Sequence, residues 1–255
     1  MSDQTGQIPA SAEDDPRAYE RPSVTVDLAL MSVREGALRV LLLRRDRAPF
    51  QGAWSLPGGF VRIEESLDQA AGRILRDKAQ MSGVFMEQLF TFGAVDRDPR
   101  ARVITVAYYA LVEAGRFDEA LKASAELSLF EILVPWAGET GGAVAICSAD
   151  GETEPLAFDH AEILGMAVKR LRGKLDYSPV GFELLPERFT LRQLQEVHEA
   201  ILDRRMNKPA FRRRMLDKGV LQATGERESG VTYRPAELYR FLDPSPAGPG
   251  KNQEG

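Results

Sequence analysis

The chain has one cysteine, Cys147, and two histidines, His160 and His198, among 255 residues. A lone cysteine excludes an internal disulfide and fits a reducing compartment. So few soft ligands argue against a zinc site, and no metal is expected. No apolar run approaches the roughly 20 residues of a membrane-spanning helix, so no membrane partner is expected. The first residues, MSDQTGQIPASAEDDPRAYERPS, lack the basic start and apolar centre of a signal peptide, which leaves a cytoplasmic protein as the expectation. Positive charge is also short overall. A net charge of -5 excludes a uniformly basic nucleic-acid binder, though not a local basic patch.

What is present divides into two characters. Residues 1–21 and 243–255 are polar and broken by proline, and are read as disordered tails. From Ser23, SVTVDLALMSV and ALRVLLLRRD have the β-branched and leucine content of strands, with a hairpin turn at Arg34-Glu35-Gly36. A helix follows over about Leu67 to Ala79. Ser66 and Gln69 have capping-box spacing, and Leu67, Ala70, Ala71, Ile74 and Leu75 form an apolar stripe. EQLFTFGAV and ARVITVAYYALVEA read as strands around the charged loop DRDPR, and LSLFEILVPW and GGAVAICSA continue that pattern. A second long helix opens at Asp159, read as its N-cap, and runs to about Lys174. The mixture indicates an α+β fold. DYSPVGFELLP then connects to a segment of different character, placing a boundary near residues 175 to 188.

The stretch LPGGFVRIEESLDQAAGRILRDKAQ carries the chemistry. Gly59, Glu65 and Arg73 stand at the spacing of the first landmarks of a Nudix box. Residues 22–175 thus resemble a Nudix domain, and the flanking LPGGF and TFGAVDRDPR are similar to members acting on ADP-ribose. In such a site, carboxylates bring divalent cations that neutralise a diphosphate and activate water. This sequence departs from that pattern. Ile74 stands where a glutamate is required, Asp77 and Lys78 replace a glutamate pair, and Gln80 replaces a glycine. No catalytic residue, metal or cofactor is therefore assigned, and hydrolysis is not expected. Two readings of the helix stay open: a packing scaffold with Lys78 solvated, or Lys78 offering its charge to a bound diphosphate. The other ligand-binding candidates are Gly58 and Gly59, which let backbone approach a ligand, and Glu65, the surviving glutamate. Arg97, Arg100 and Arg102 add guanidinium forks suited to phosphate. Asp159 and His160 come from the FDHAEIL segment, which accompanies the ligand-binding domain of the family it resembles.

Beyond residue 188 the reading is helix, tight turn, basic helix, β-hairpin. Thr190 and Gln193 make another capping box, and Leu191, Leu194, Val197 and Ile201 give one apolar face. Asn207 caps the next helix, with Pro209 in its first turn; Phe211, Met215 and Leu216 point one way, and Gly219 is a natural stop. VLQA and VTYR are read as strands flanking TGERESG, with Arg227 at the tip. Between residues 188 and 240, 12 Lys and Arg face 7 Asp and Glu, whereas the rest of the chain is acidic. That asymmetry is what attraction to phosphate requires. The plan is a winged helix-turn-helix over residues 176–242. Its DNA-binding candidates are Thr190, Arg192, Asn207, Lys208, Arg212, Arg213, Arg214 and Arg227, with the second helix entering the major groove.

A Nudix-like domain followed by FTLRQLQEVHEAIL, NKPAFRRRML and RPAELYRF resembles the Nudix-related transcriptional regulators of NAD metabolism. The resemblance implies a homodimeric repressor that senses ADP-ribose or a related nucleotide and binds a palindromic double-stranded DNA operator. Two alternatives remain: a hydrolase of ADP-ribose or another nucleoside diphosphate derivative, and a nucleotide-binding module whose basic domain docks an acidic protein.

Overall fold

Two residues of positive φ, Glu35 at 54° and Gly36 at 76°, join β1 (Ser23–Arg34) to β2 (Ala37–Arg44). A two-residue connection of this hand matches the twist of the strands, and it is the turn expected from Arg34-Glu35-Gly36. The computed structural model describes residues 19–242 except 176, 177, 231 and 233, together with 15 and 17. The expected tail over 243–255, and most of that over 1–21, lie outside these residues.

Strand β1 organises the sheet. Its first half pairs antiparallel with β4 (Gly58–Phe60) and its end with β2, while its other edge runs parallel to β6 (Val103–Leu111). Four further strands complete the path: β5 (Glu87–Phe92), β7 (Leu127–Leu133), β8 (Ala145–Cys147) and β9 (Thr153–Glu154). The order is β5-β6-β1-β2-β7-β8-β9, with β3 (Trp54–Ser55) paired to β2. A strand paired on both edges and covered on both faces reads as continuously apolar. Val26 and Leu28 to Met31 are fully buried. Asp27, the charged residue in that run, is buried too.

Alternation along β1 and β2 sends side chains to two layers. Val26, Leu28, Leu30 and Leu41 pack against α1 (Leu67–Ala79) and α2 (Ala114–Ala123). Ala29, Met31, Val40 and Leu42 pack against α3 (His160–Lys174). The capping box on α1 is present in both directions. Ile74 is fully buried, which is worth about 1.5–3 kcal/mol. Several expected strands are too long. The segment read as one strand over 101–114 is strand only to Leu111, and EQLFTFGAV, LSLFEILVPW and GGAVAICSA shrink to β5, β7 and β8. Helix α2 was not expected. It buries Phe117 and Ala120, and the Glu113 side chain accepts from the Gly115 N–H at its start.

A 3-10 helix, Pro179–Leu184, leads to α4 (Leu191–Leu202) and α5 (Lys208–Asp217). Thr190 caps α4 in a complete capping box, and Asn207 accepts from the Ala210 N–H at the head of α5. Strands β10 (Leu221–Arg227) and β11 (Glu237–Phe241) form the wing. This corrects the expected hairpin. The second strand lies at ELYRF, not VTYR, because Tyr239 must be buried beside Phe189, Leu194, Phe211 and Met215. Backbone bonds between Phe189 and Tyr239 in both directions fix that register. Arg227 ends β10 opposite Glu237 instead of capping a tip; Val231 and Tyr233 of VTYR lie outside the described residues. Leu216, expected beside Phe211 and Met215, is exposed. The core does not stop at the expected boundary: Val197 and Ile201 of α4 belong to the same apolar cluster as β1, β2 and α3.

Candidate functional site

Strands β1 and β4 leave Asp27 under the glycine turn. A Cβ on Gly58 would lie 1.9 Å from Asp27 Oδ1, so only glycine lets the turn sit this close. The Thr105 hydroxyl donates to Asp27 Oδ2 at 2.7 Å. Arg97 lies on the other side, its Nη2 3.7 Å from Asp27 Oδ2. Its Nε and Nη2 reach both Asp159 oxygens at 2.8 and 2.6 Å. Asp159 stands at the N-cap position of α3 as expected, but its side chain makes no cap bond; the fork of Arg97 takes both of its oxygens instead.

His160, the first residue of α3, completes this cluster. Its Nδ1 accepts the Leu56 N–H at 3.0 Å, which puts the ring proton on Nε2, 3.8 Å from Asp27 Oδ1. Burial lowers the imidazole pKa against the pull of Asp27 and Asp159, so the ring is neutral at pH 7. Asp27, Thr105, Arg97, Asp159 and His160 are thereby a buried polar floor, with their groups directed mainly at one another.

Above that floor opens a cavity of about 480 Å³, the size of a small-molecule site. Gly58, Gly59, Lys78, Arg97, Arg100 and His160 line it, as do Asp27, Arg44, Arg45, Arg47, Asp77, Asp98 and Phe158. Phe158 carries a positive φ of 53°, sparsely populated for an aromatic residue. Its ring lies 4.8 Å from the Arg45 guanidinium carbon and 5.8 Å from that of Arg100. Burial and the neighbouring Arg100 lower the Arg45 pKa, a sign of positive charge held closely together.

Three expected ligand residues do not line the cavity. Glu65 is tied to Arg73 at 2.5 and 2.9 Å and accepts the Arg62 N–H; this pairing pulls its pKa down to about 2. Arg102 donates to the Ala94 carbonyl. Asp159 acts behind the wall, through Arg97. Arg45, Arg47, Asp27 and Phe158 were not anticipated. A lone carboxylate in the apolar run SVTVDLAL, and the RRDR that ends the next strand, were the available signals.

The divalent cations of a Nudix box do not fit these donors. Glu65 is engaged by Arg73, Ile74 is in the core, and Lys78 donates its Nζ to the Gly58 carbonyl. Among the described residues no group of three or more His, Cys, Asp and Glu could hold a metal ion.

A second concavity, about 590 Å³, lies between α4, α5 and the wing. Thr190, Arg192, Lys208, Arg212 and Arg227 line it, and so do Gln195 and Arg234, which the sequence reading passed over. Of the remaining candidates, Asn207 caps α5, Arg213 lies 3.8 Å from Asp217, and Arg214 lies over the Phe211 ring at 5.6 Å. Five cations against Glu228 and Glu237 make this a positive cleft framed by two helices and a hairpin.

Comparison with known proteins agrees with both halves. Residues 22–137 match the NUDIX domain and residues 181–241 the NrtR DNA-binding winged helix domain. The ADPR responsive transcriptional repressor NtrR of Acinetobacter baylyi is 35% identical over 225 residues, 88% of this chain and 83% of that protein. The crystal structure of Shewanella oneidensis NrtR complexed with a 27mer DNA superposes with a TM-score of 0.70 at 35% identity, over 86% of this chain and 93% of that one. A MutT/nudix family protein from Enterococcus faecalis gives a TM-score of 0.68 at 26% identity, over 88% and 87% of the two chains.

Proposed function

The chain belongs to the NrtR family, in which a Nudix domain is joined to a DNA-binding winged helix, and from that membership we propose that it is a transcriptional repressor responsive to ADP-ribose. The observation that best supports this reading is the path of α3. The helix begins at His160 on the cavity and carries Arg172 in its last turn, where the Arg172 Nε donates to the Ile201 carbonyl of α4 at 2.8 Å. A nucleotide held at one end therefore touches an element packed on the DNA-binding half at the other. Binding alters DNA affinity only if the ligand favours one arrangement of that junction over another.

In this reading residues 22–175 sense the nucleotide and residues 176–242 bind DNA. Gly58, Gly59, Lys78, Arg45, Arg100 and His160 surround the ligand, while Arg97 and Asp159 hold the wall. Arg192, Lys208, Arg212, Arg227 and Arg234 meet phosphates or base edges, with α5 in the major groove. The family resemblance supports a homodimer on a palindromic operator, since dimers of such motifs read two symmetry-related half-sites. A cytoplasmic location suits a DNA-binding protein, and among the described residues no helix is long and apolar enough to cross a membrane. The hydrolase alternative requires carboxylates where Ile74 and Lys78 stand, and the cavity offers no cluster to replace them.

Fluorescence anisotropy of the duplex upstream of the protein's own gene, at fixed moderate salt, tests this. A specific complex that ADP-ribose weakens is expected; binding no tighter than to unrelated DNA would overturn the repressor reading. ADP-ribose incubated with magnesium or manganese is expected to remain intact over the same period.

A further inference from the structure

The donors that would hold a divalent cation are missing, and a cation belonging to the chain itself stands at that place. Ile74 and Lys78, one turn apart on α1, both lie under the glycine turn. A Cβ on Gly59 would sit 3.7 Å from Ile74 Cδ1 and 3.9 Å from Lys78 Nζ. The ammonium is anchored on the Gly58 carbonyl, which engages one of its three donors. The side chain lines the cavity. The neighbouring cations are partly committed: Arg97 to Asp159 and Arg100 to Asp98, the latter at 2.7 and 2.9 Å.

We propose that Lys78 is the fixed counter-cation of this pocket, taking the place of the divalent ion against the diphosphate of the bound nucleotide, so that the ligand is held without metal. The proposal rests on the reading that the ligand is a nucleoside diphosphate. An ammonium is a compact point charge that suits phosphate oxygens. It neutralises charge and donates hydrogen bonds, but it does not coordinate a water and lower its pKa as a metal does. The same substitution thus explains retention of the nucleotide and loss of the means to cut it. The electrostatics agree. Lys78 is exposed as a residue, but desolvation of its ammonium under the turn pushes its pKa down; Asp27 opposes this, and Arg45, Arg73 and Arg47 add to it. A phosphate anion relieves that repulsion.

Calorimetric titration of the full chain with ADP-ribose, once in EDTA and once in magnesium, tests this. The wild-type affinity is expected to be the same in both. Lys78→Met is expected to weaken binding about ten- to a hundredfold, and Lys78→Arg, which keeps the charge, to recover part of that loss. Thermal melting establishes that each variant is folded; if Lys78→Met is not, Lys78→Gln takes its place, and the metal comparison on the wild type stands independently. Wild-type binding that requires magnesium overturns the proposal and leaves the nucleotide reading intact. Undiminished binding by a folded, uncharged variant does the same. Absence of ADP-ribose binding by the wild type in both conditions overturns the nucleotide reading, and the proposal with it.

Discussion

Replacing Arg97 with methionine is expected to destabilise the fold by about 3–5 kcal/mol, because a buried carboxylate would be left without its partner. The Arg97 side chain is 4% exposed, and it satisfies Asp159 with two bonds while facing Asp27 at 3.7 Å. Removing the guanidinium takes both bonds from Asp159, while Asp27 loses a nearby positive charge but keeps the Thr105 hydroxyl; a shielded carboxylate without a partner is costly. Taking out both partners is a different matter, since an ion pair exchanged for apolar groups of similar volume is often nearly neutral. Arg97→Met with Asp159→Leu should therefore cost less than the two single changes added together. Urea unfolding measures all four proteins, with a lower midpoint and an unchanged slope expected for Arg97→Met. A shift of less than about 1 kcal/mol, the range of an exposed pair, would show that this floor does not bind the sheet to the DRDPR loop.

Arg172→Met is expected to have the largest effect on communication between the two sites. The guanidinium is buried and donates to the Ile201 carbonyl at 2.8 Å and to the Trp136 and Gly138 carbonyls at 3.3 and 3.0 Å. It also lies over the Trp136 ring at 4.9 Å. Helix C-terminal carbonyls need donors from outside the helix, and Arg172 supplies one to the end of α4. Its loss should cost about 1–3 kcal/mol in stability through unmet acceptors. Val197 and Ile201 remain packed against α3, so both halves should still fold. ADP-ribose and DNA should then each bind close to normally while the effect of one on the other shrinks. An allosteric factor typically lies between about 5 and 150, and the variant should fall well below the wild type. Coupling unchanged in a variant that binds both ligands would place the junction elsewhere.

Local chemistry made much of this molecule readable. Ser66 with Gln69, Thr190 with Gln193, and Asn207 announce helix starts because a cap needs only neighbours in sequence. The hairpin at Glu35-Gly36 is legible for the same reason. Helix α2 was not legible: it is short, it buries only Phe117 and Ala120, and it follows a strand without a strong break. The wing was misplaced because VTYR has strand composition, whereas the choice of ELYRF depends on where Tyr239 finds a core. Ile74 and Lys78 declared the altered box directly. The floor beneath it did not show, because Asp27, Thr105, Arg97 and His160 come from distant parts of the chain and acquire meaning only when β1, β6 and α3 are adjacent. The position of Glu65 away from the cavity was hidden for the converse reason. Glu65 matches the family spacing, but the helix that follows it supplies Arg73 to occupy it.

Nucleotide binding and DNA affinity linked in one chain are directly measurable through thermodynamic linkage. If bound ADP-ribose weakens DNA binding by a given factor, bound DNA must weaken ADP-ribose binding by the same factor. The deciding measurement is calorimetry of ADP-ribose binding to the wild-type protein, alone and saturated with its operator duplex, at one salt concentration. ADP-ribose affinity is expected to be weaker on DNA, by the factor that anisotropy gives for DNA in saturating ADP-ribose. The same ADP-ribose affinity with and without the duplex, in a protein that holds both together, would contradict it.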